Sequence, residues 1–221
     1  MTEQLTFVAV HAHPDDEASS TGGVFPLLAS QGVRTVLVTC TNGECGDDPT
    51  GKKPEHDDHD GDAVAALRRI ELETAVDILN IDRLVMLGYR DSGMDGWPQN
   101  SDPRSFWQTP VDVAAAKLLA VLREERPQIV MTYNDFGFYG HPDHIQAHRI
   151  TMAAVAQLDY EPTVYFNAIP KAVFAEFRAR RREAAIAKGE VVEEDDGVDF
   201  GTPDEQIAAA IDISTVNGLK F

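Results

Sequence analysis

Cysteine is almost absent from this sequence: its 221 residues include two, Cys40 and Cys45. They fall in a strand-to-loop stretch without the paired spacing of a thiolate zinc site or a disulfide framework, so both are expected to be free thiols in a reducing cytoplasm. Basic residues are also scarce, with 19 Lys and Arg against 37 Asp and Glu and a formal charge of -18. Such a charge repels phosphate backbones and anionic lipid, which argues against nucleic acid and membrane partners. Solubility, or a salty cytoplasm, accounts for the acidity. No apolar run reaches membrane-spanning length. The opening MTEQLTFVAVHAHPDDE has no basic region and is broken by His and Asp, unlike a signal peptide. The expected location is the cytoplasm. What is present, 43% hydrophobic and 25% charged residues, is the balance of an ordinary globular chain, here read as one domain over residues 1–221.

Short apolar runs alternate with amphipathic segments. Leu5–His11, Arg34–Cys40, Arg83–Leu87, Gln128–Tyr133 and Thr163–Asn167 read as strands. Ala18–Ser30, Asp62–Leu79, Val111–Glu124 (ending before Pro127) and His144–Leu158 read as helices. This alternation predicts an α/β fold, a Rossmann-like, doubly wound and mainly parallel sheet with helices on both faces. Three stretches interrupt it. Gly43–Gly61 is long, acidic and rich in turn residues, read as a mobile lid or mere surface, and Asp91–Pro110 carries two tryptophans among Gly, Pro, Asn and Ser, a composition that suits a pocket wall as well as a packed loop. In Ile186–Glu205 an Ala- and Arg-rich helix gives way to the charge run EVVEEDDG, read as solvated and without a function of its own.

In open parallel sheets ligands bind beyond the carboxyl ends of the strands where the strand order reverses, between the loops after the first and fourth strands. Those loops hold the unusual residues, His11-Ala-His-Pro-Asp-Asp-Glu17 and Tyr139-Gly-His-Pro-Asp-His144. A catalytic zinc takes three His or carboxylate ligands and keeps a position open for water. His13 and Asp16, three residues apart around Pro14, and His144 at the start of a helix fill that role, and the same ligand set also suits iron(II) or cobalt. Asp15, beside a ligand but outside the set, is the candidate general base for the water. His141 and Tyr139 are candidates to face a developing oxyanion, with a protonated His141 oriented by Asp143 acting as acid or as stabiliser. His148, one turn beyond His144, is a weaker alternative ligand. His56 and His59 read as surface residues, and His11 as either a packed strand residue or a support for the ligands.

AHPDDE after the first strand and YGHPDH after the fourth resemble the PIG-L, or LmbE-like, zinc deacetylases, over about Leu5–Asn167. The resemblance implies hydrolysis of an N-acyl group from a small glucosamine-containing molecule, with metal ligands His13, Asp16 and His144, base Asp15, and auxiliary Tyr139, His141 and Asp143. AVHAHPDDE, TNGECG, LGYRDSGM and GHPDHIQAHR are most similar to the mycothiol branch, which contains a deacetylase of N-acetylglucosaminyl-inositol and an amidase of mycothiol S-conjugates. The family pattern marks Asp91 and Arg68, with Glu71, as sugar-pocket candidates, and Glu44 is a weaker one. Arg68 and Glu71 read equally well as an ion pair on a helix surface. Against the family pattern the sequence looks cut short after Phe221.

Other readings fit less well. His11-x-His13-x-Asp15-Asp16 approaches the HxHxDH signature of metallo-β-lactamase-like hydrolases but lacks its last histidine, and those enzymes use antiparallel sheets. No GxGxxG follows the first strand, as a dinucleotide-binding protein requires. A silent metal-binding module needs no base such as Asp15.

Overall fold

The computed structural model describes residues 4–54, 56–188, 200–216 and 218. Five strands, β1 (Thr6–His11), β2 (Arg34–Thr41), β3 (Arg83–Tyr89), β4 (Ile129–Thr132) and β5 (Thr163–Phe166), form one sheet in the order β3-β2-β1-β4-β5. Every ladder is parallel, with Val8 opposite Val36 on one side and Val130 on the other. The helices are α1 (Asp16–Ser20), α2 (Val24–Ser30), α3 (Gly61–Ile78), α4 (Val111–Glu125), α5 (Gly137–Gly140), α6 (Pro142–Val155) and α7 (Lys171–Lys188).

The strand composition follows from double coverage. All six residues of β1 are buried, and a central parallel strand covered on both faces must be apolar at nearly every position. Val8, Val10, Val36 and Val38 pack with Leu118 and Leu122 of α4 and Ile150 of α6. Their neighbours Phe7, Ala9 and Leu37 point the other way, onto Phe25 of α2 and Leu72 of α3. The expected α/β sheet is thus present. Strand order reverses between β1 and β4, so the loops leaving these two strands lie side by side.

One expected helix is divided. Ala18–Ser30 breaks into α1 and α2 at Thr21–Gly23. The Thr21 hydroxyl donates to the Glu17 carbonyl at 3.0 Å, and a Cβ on Gly22 would lie 2.4 Å from the Ala18 carbonyl oxygen. The chain turns there in a space that only glycine fits.

The structure divides into two compact units, Met1–Phe166 with Asp212–Phe221, and Asn167–Ile211. In the second, α7 has no buried residue, Pro170 and Thr202 form a parallel bridge, and Phe174 meets Phe200 edge-on at 5.9 Å. The charge run EVVEEDDG lies outside the described residues. Among the described residues no helix is long and apolar enough to cross a membrane.

Two strands are tied to α4 by one carboxylate. Glu125, its side chain 5% exposed, accepts from Arg34 at 2.7 Å and from Arg83 at 2.6 Å. The Arg34 hydrogen bond leads in holding the Glu125 carboxyl below its ordinary value of 4.5, against the opposing effect of burial. A carboxyl depressed in the folded state stabilises the fold above its unfolded pKa and loses that contribution as pH falls through the folded value. Chemical denaturation as a function of pH should show stability dropping below about pH 4.5, and Glu125→Gln should flatten this part of the profile. An unchanged profile would mean that the pair contributes nothing measurable.

Candidate active site

The loop from β1 and the loop from β4 meet as the strand order requires. His13, Asp16 and His144 are each at most 9% exposed, and their ligand atoms lie within 4.8 Å of one another. Oδ2 of Asp16 is 3.4 Å from Nδ1 of His13 and 3.5 Å from Nε2 of His144. The same oxygen accepts the His13 N–H at 2.9 Å and the Tyr133 hydroxyl at 2.7 Å. Burial alone would raise the Asp16 carboxyl, but the imidazoles of His144 and His13 hold it well below its usual range. For His13 the balance has the opposite direction: burial would lower it, but Asp91, Asp143 and Asp16 raise it well above 6.5. Three carboxylates around one imidazole create a demand for positive charge.

Within this set His144 is the residue whose needs are unmet. Both of its ring nitrogens are buried and lack a hydrogen-bond partner among the described residues, a state that proteins rarely leave uncompensated. Two imidazole nitrogens and a carboxylate oxygen converging on one point match the ligand set of a catalytic zinc with a position left over. The residues therefore fit a divalent metal. A second group, His13, His141 and Asp143, also clusters, but the Asp143 carboxylate is already engaged by protein donors.

Asp15 stands at the mouth with its side chain 65% exposed, 3.3 Å from Arg68. Its backbone is left-handed, with φ 117°, costly for a residue other than glycine. Its N–H is held by Glu17 Oε2 at 2.9 Å. Desolvation, then the charge of Asp16, raises the Asp15 carboxyl, while Arg68 pulls it down. Glu17 was not singled out in the sequence. It is 1% exposed, and burial raises its carboxyl to about 7; its place at the end of the PDDE run was the available signal.

His141 differs from expectation. Rather than a charged imidazole oriented by the Asp143 carboxylate, it caps α6, its Nδ1 accepting the Asp143 backbone N–H at 3.1 Å. That assigns its proton to Nε2. Burial, then His13 and His144, lower its pKa to about 2, so the ring is neutral. The Asp143 carboxylate turns instead to Ser92 and to His13 Nε2, the latter at 3.3 Å. Tyr139 lies edge-on to His144 with ring centres 5.0 Å apart, its phenol raised to about 12 chiefly by burial. It is carried by α5, where Phe138 takes φ 69° and Gly137 takes φ 68°, with a Cβ there falling 2.8 Å from the Ile145 nitrogen.

The sugar-pocket candidates also find protein partners. Asp91 accepts from Gly93 N at 2.8 Å and Cys45 N at 3.3 Å, while its own N–H donates to Glu44 at 2.9 Å. Arg68 donates to the Pro14 carbonyl at 3.1 Å. With Asp15, Glu17 and Glu71 it lines a groove of about 200 Å³ beside the mouth. His148 bonds the Tyr133 carbonyl at 2.9 Å and His59 the Gly46 carbonyl at 2.9 Å, so neither joins the ligand cluster. His11 is a buried support, 2.9 Å from the Thr21 hydroxyl and 3.3 Å from that of Tyr133. Burial lowers its pKa to about 4, keeping it neutral.

Tyr133, read only as the end of a strand, touches two of the three candidate ligands, Asp16 and His144. Its hydroxyl donates to Asp16 and accepts from Ala12 N at 2.9 Å, and its ring stacks on His144 with centres 4.0 Å apart. Tyr133→Phe should leave the Ala12 N–H without its acceptor and cost about 1–3 kcal/mol, measured by urea denaturation. A loss below a few tenths would show that these bonds are replaced.

A family model described as PIG-L, GlcNAc-PI de-N-acetylase, matches residues 8–155. A 1D-myo-inositol 2-acetamido-2-deoxy-alpha-D-glucopyranoside deacetylase of Acidothermus cellulolyticus is 45% identical over 213 residues, covering 94% of this chain and 73% of that one. Among solved structures, N,N'-diacetylchitobiose deacetylase from Pyrococcus horikoshii is similar with a TM-score of 0.60 at 19% identity, over 86% of this chain and 72% of its own. GalB, the 4-carboxy-2-hydroxymuconate hydratase of Pseudomonas putida, is similar with a TM-score of 0.62 at 21% identity, over 98% and 76%. At those identities the structural likeness shows the fold alone. The sequence matches run through both loops of the site, and the chain belongs to the PIG-L deacetylase family, as an amide hydrolase acting on a C–N bond.

Proposed function

We propose that this chain removes the acetyl group from the nitrogen of a small glucosamine-containing molecule, with an N-acetylglucosaminyl-inositol as its substrate, zinc as its metal and the cytoplasm as its location. The observation that carries this reading is the convergence of His13, Asp16 and His144 from two loops, with Asp15 beside them at the mouth. The name of the 45% identical relative supports the substrate. The His2Asp donor set supports zinc, and also suits iron(II) or cobalt. Two unpaired cysteines support a reducing compartment.

A divalent ion held by the three ligands supplies Lewis acidity to the acyl oxygen and to a water. Asp15, its carboxyl raised by desolvation and by Asp16 yet its side chain open to solvent, takes the proton of the attacking water. The neutral His141 presents Nε2–H as a hydrogen-bond donor where the acyl oxygen becomes negative, and the Tyr139 phenol, protonated at any physiological pH, is a second donor at the rim. The proton collected by Asp15 then passes to the departing amine. Tyr133, Glu17 and Asp143 orient these groups without touching substrate.

Zinc-loaded protein incubated with N-acetylglucosaminyl-inositol, N-acetylglucosamine and a mycothiol S-conjugate should release free amine fastest from the first. Release from the conjugate alone would overturn the substrate assignment. Asp15→Asn should keep one equivalent of zinc and lower kcat by about 10²–10⁴-fold, whereas His144→Ala should lose the zinc. Full turnover by Asp15→Asn would remove Asp15 as the base.

A further inference from the structure

The Asp143 side chain is 0% exposed and accepts three hydrogen bonds. Its Oδ2 takes the Ser92 N–H at 2.9 Å and His13 Nε2 at 3.3 Å, and its Oδ1 takes the Ser92 hydroxyl in a short bond. Ser92 is itself 0% exposed. Its oxygen accepts the Trp107 N–H at 2.9 Å and its carbonyl accepts Asn100 Nδ2 at 2.5 Å. Two bonds from one residue thus fix the plane of the carboxylate that faces His13. A competing acceptor is close: Asp91 Oδ1 lies 3.7 Å from the same His13 nitrogen. The orientation of the His13 ring is therefore decided by which carboxylate is better placed.

We propose that Ser92 is a positioning residue for the metal site: by clamping Asp143 it keeps His13 Nε2–H on that carboxylate and so turns Nδ1 toward Asp16 and His144. Through the same hydroxyl, the loop that carries Trp107 is tied to a metal ligand. A carboxylate behind a ligating histidine fixes ring orientation and tautomer; here the carboxylate has its own clamp, which comes from a different loop. The inference rests on the metal assignment proposed above.

Ser92→Ala, Asp143→Ala and the double variant test it, with zinc affinity measured by chelator competition and the His13 Nε2–H proton followed by NMR in zinc-loaded and metal-free protein. Ser92→Ala should bind zinc about 10–100-fold more weakly and its Nε2–H signal should broaden by exchange. The double variant should bind no more weakly than Asp143→Ala, because Ser92 acts only through Asp143. Wild-type affinity with a sharp Nε2–H signal in Ser92→Ala, or effects that simply add, would overturn the proposal. If Ser92→Ala cannot be purified folded, the near-isosteric Ser92→Cys, a much weaker donor, is read in the same way. Failure of the wild type to bind zinc would sink the metal assignment instead, and the metal-free Nε2–H signal would still decide the role of Ser92.

Discussion

One carboxylate oxygen organises the centre of this protein. Oδ2 of Asp16 receives a backbone N–H from His13 and the hydroxyl of Tyr133, and faces an imidazole nitrogen from each of the two loops. A buried charge is costly unless it is paired and hydrogen-bonded, and every element around Asp16 meets that requirement. The β1 loop folds back to offer its N–H, β4 is followed directly by Tyr133, and α6 begins where His144 reaches the cluster. The sheet order puts these parts within range, because β1 and β4 are neighbours in space although far apart in sequence.

The backbone is strained where the chemistry is expected. Asp15 and Phe138 both take positive φ, one on each loop, although neither is glycine. Such conformations persist only where the surroundings over-determine them. For Asp15 the restraint is Glu17, buried and accepting its N–H; for Phe138 it is Asn134, whose side-chain oxygen accepts the Phe138 N–H at 2.8 Å. The results are a carboxylate turned outward next to one turned inward, and a tyrosine ring turned toward His144. Adjacent aspartates with opposite environments come from one strained residue.

Much of this was legible in the sequence. The five apolar runs became the five strands because buried parallel strands leave little choice of residue, and the two His- and Asp-bearing loops follow β1 and β4 because the alternation of elements fixes the doubly wound topology. What the sequence did not reveal are partnerships. Tyr133 resembled any aromatic strand terminus until its hydroxyl met Asp16. Ser92 was one polar residue among many in a loop. Asp143, two residues from His141, suggested a local pair, but the start of α6 gives His141 the backbone N–H and sends the carboxylate across to His13. The Ala18–Ser30 helix broke because its apolar spacing outweighed, on paper, two glycines that cannot be replaced without a clash. In each case the deciding contact lies across the fold, where periodicity and local spacing carry no information.

A hydratase and a deacetylase share the fold of this chain, so the sheet by itself does not select the reaction. Selection has to come from groups that the loops leave unsatisfied. Around this site most polar atoms are paired: Asp91 with two backbone N–H groups, Glu44 with the Asp91 N–H, Arg68 with Pro14 and Asp15, and His148 with a carbonyl. The ring nitrogens of His144 stand out because they are buried without a hydrogen-bond partner among the described residues, next to a carboxylate and a second imidazole arranged to share a cation. Other buried atoms also lack a partner among the described residues, Thr39 Oγ1 and Tyr89 OH among them, but only at His144 do two open nitrogens belong to a His/Asp cluster that could hold a cation, where the ligand-binding crevice of an open parallel sheet is expected.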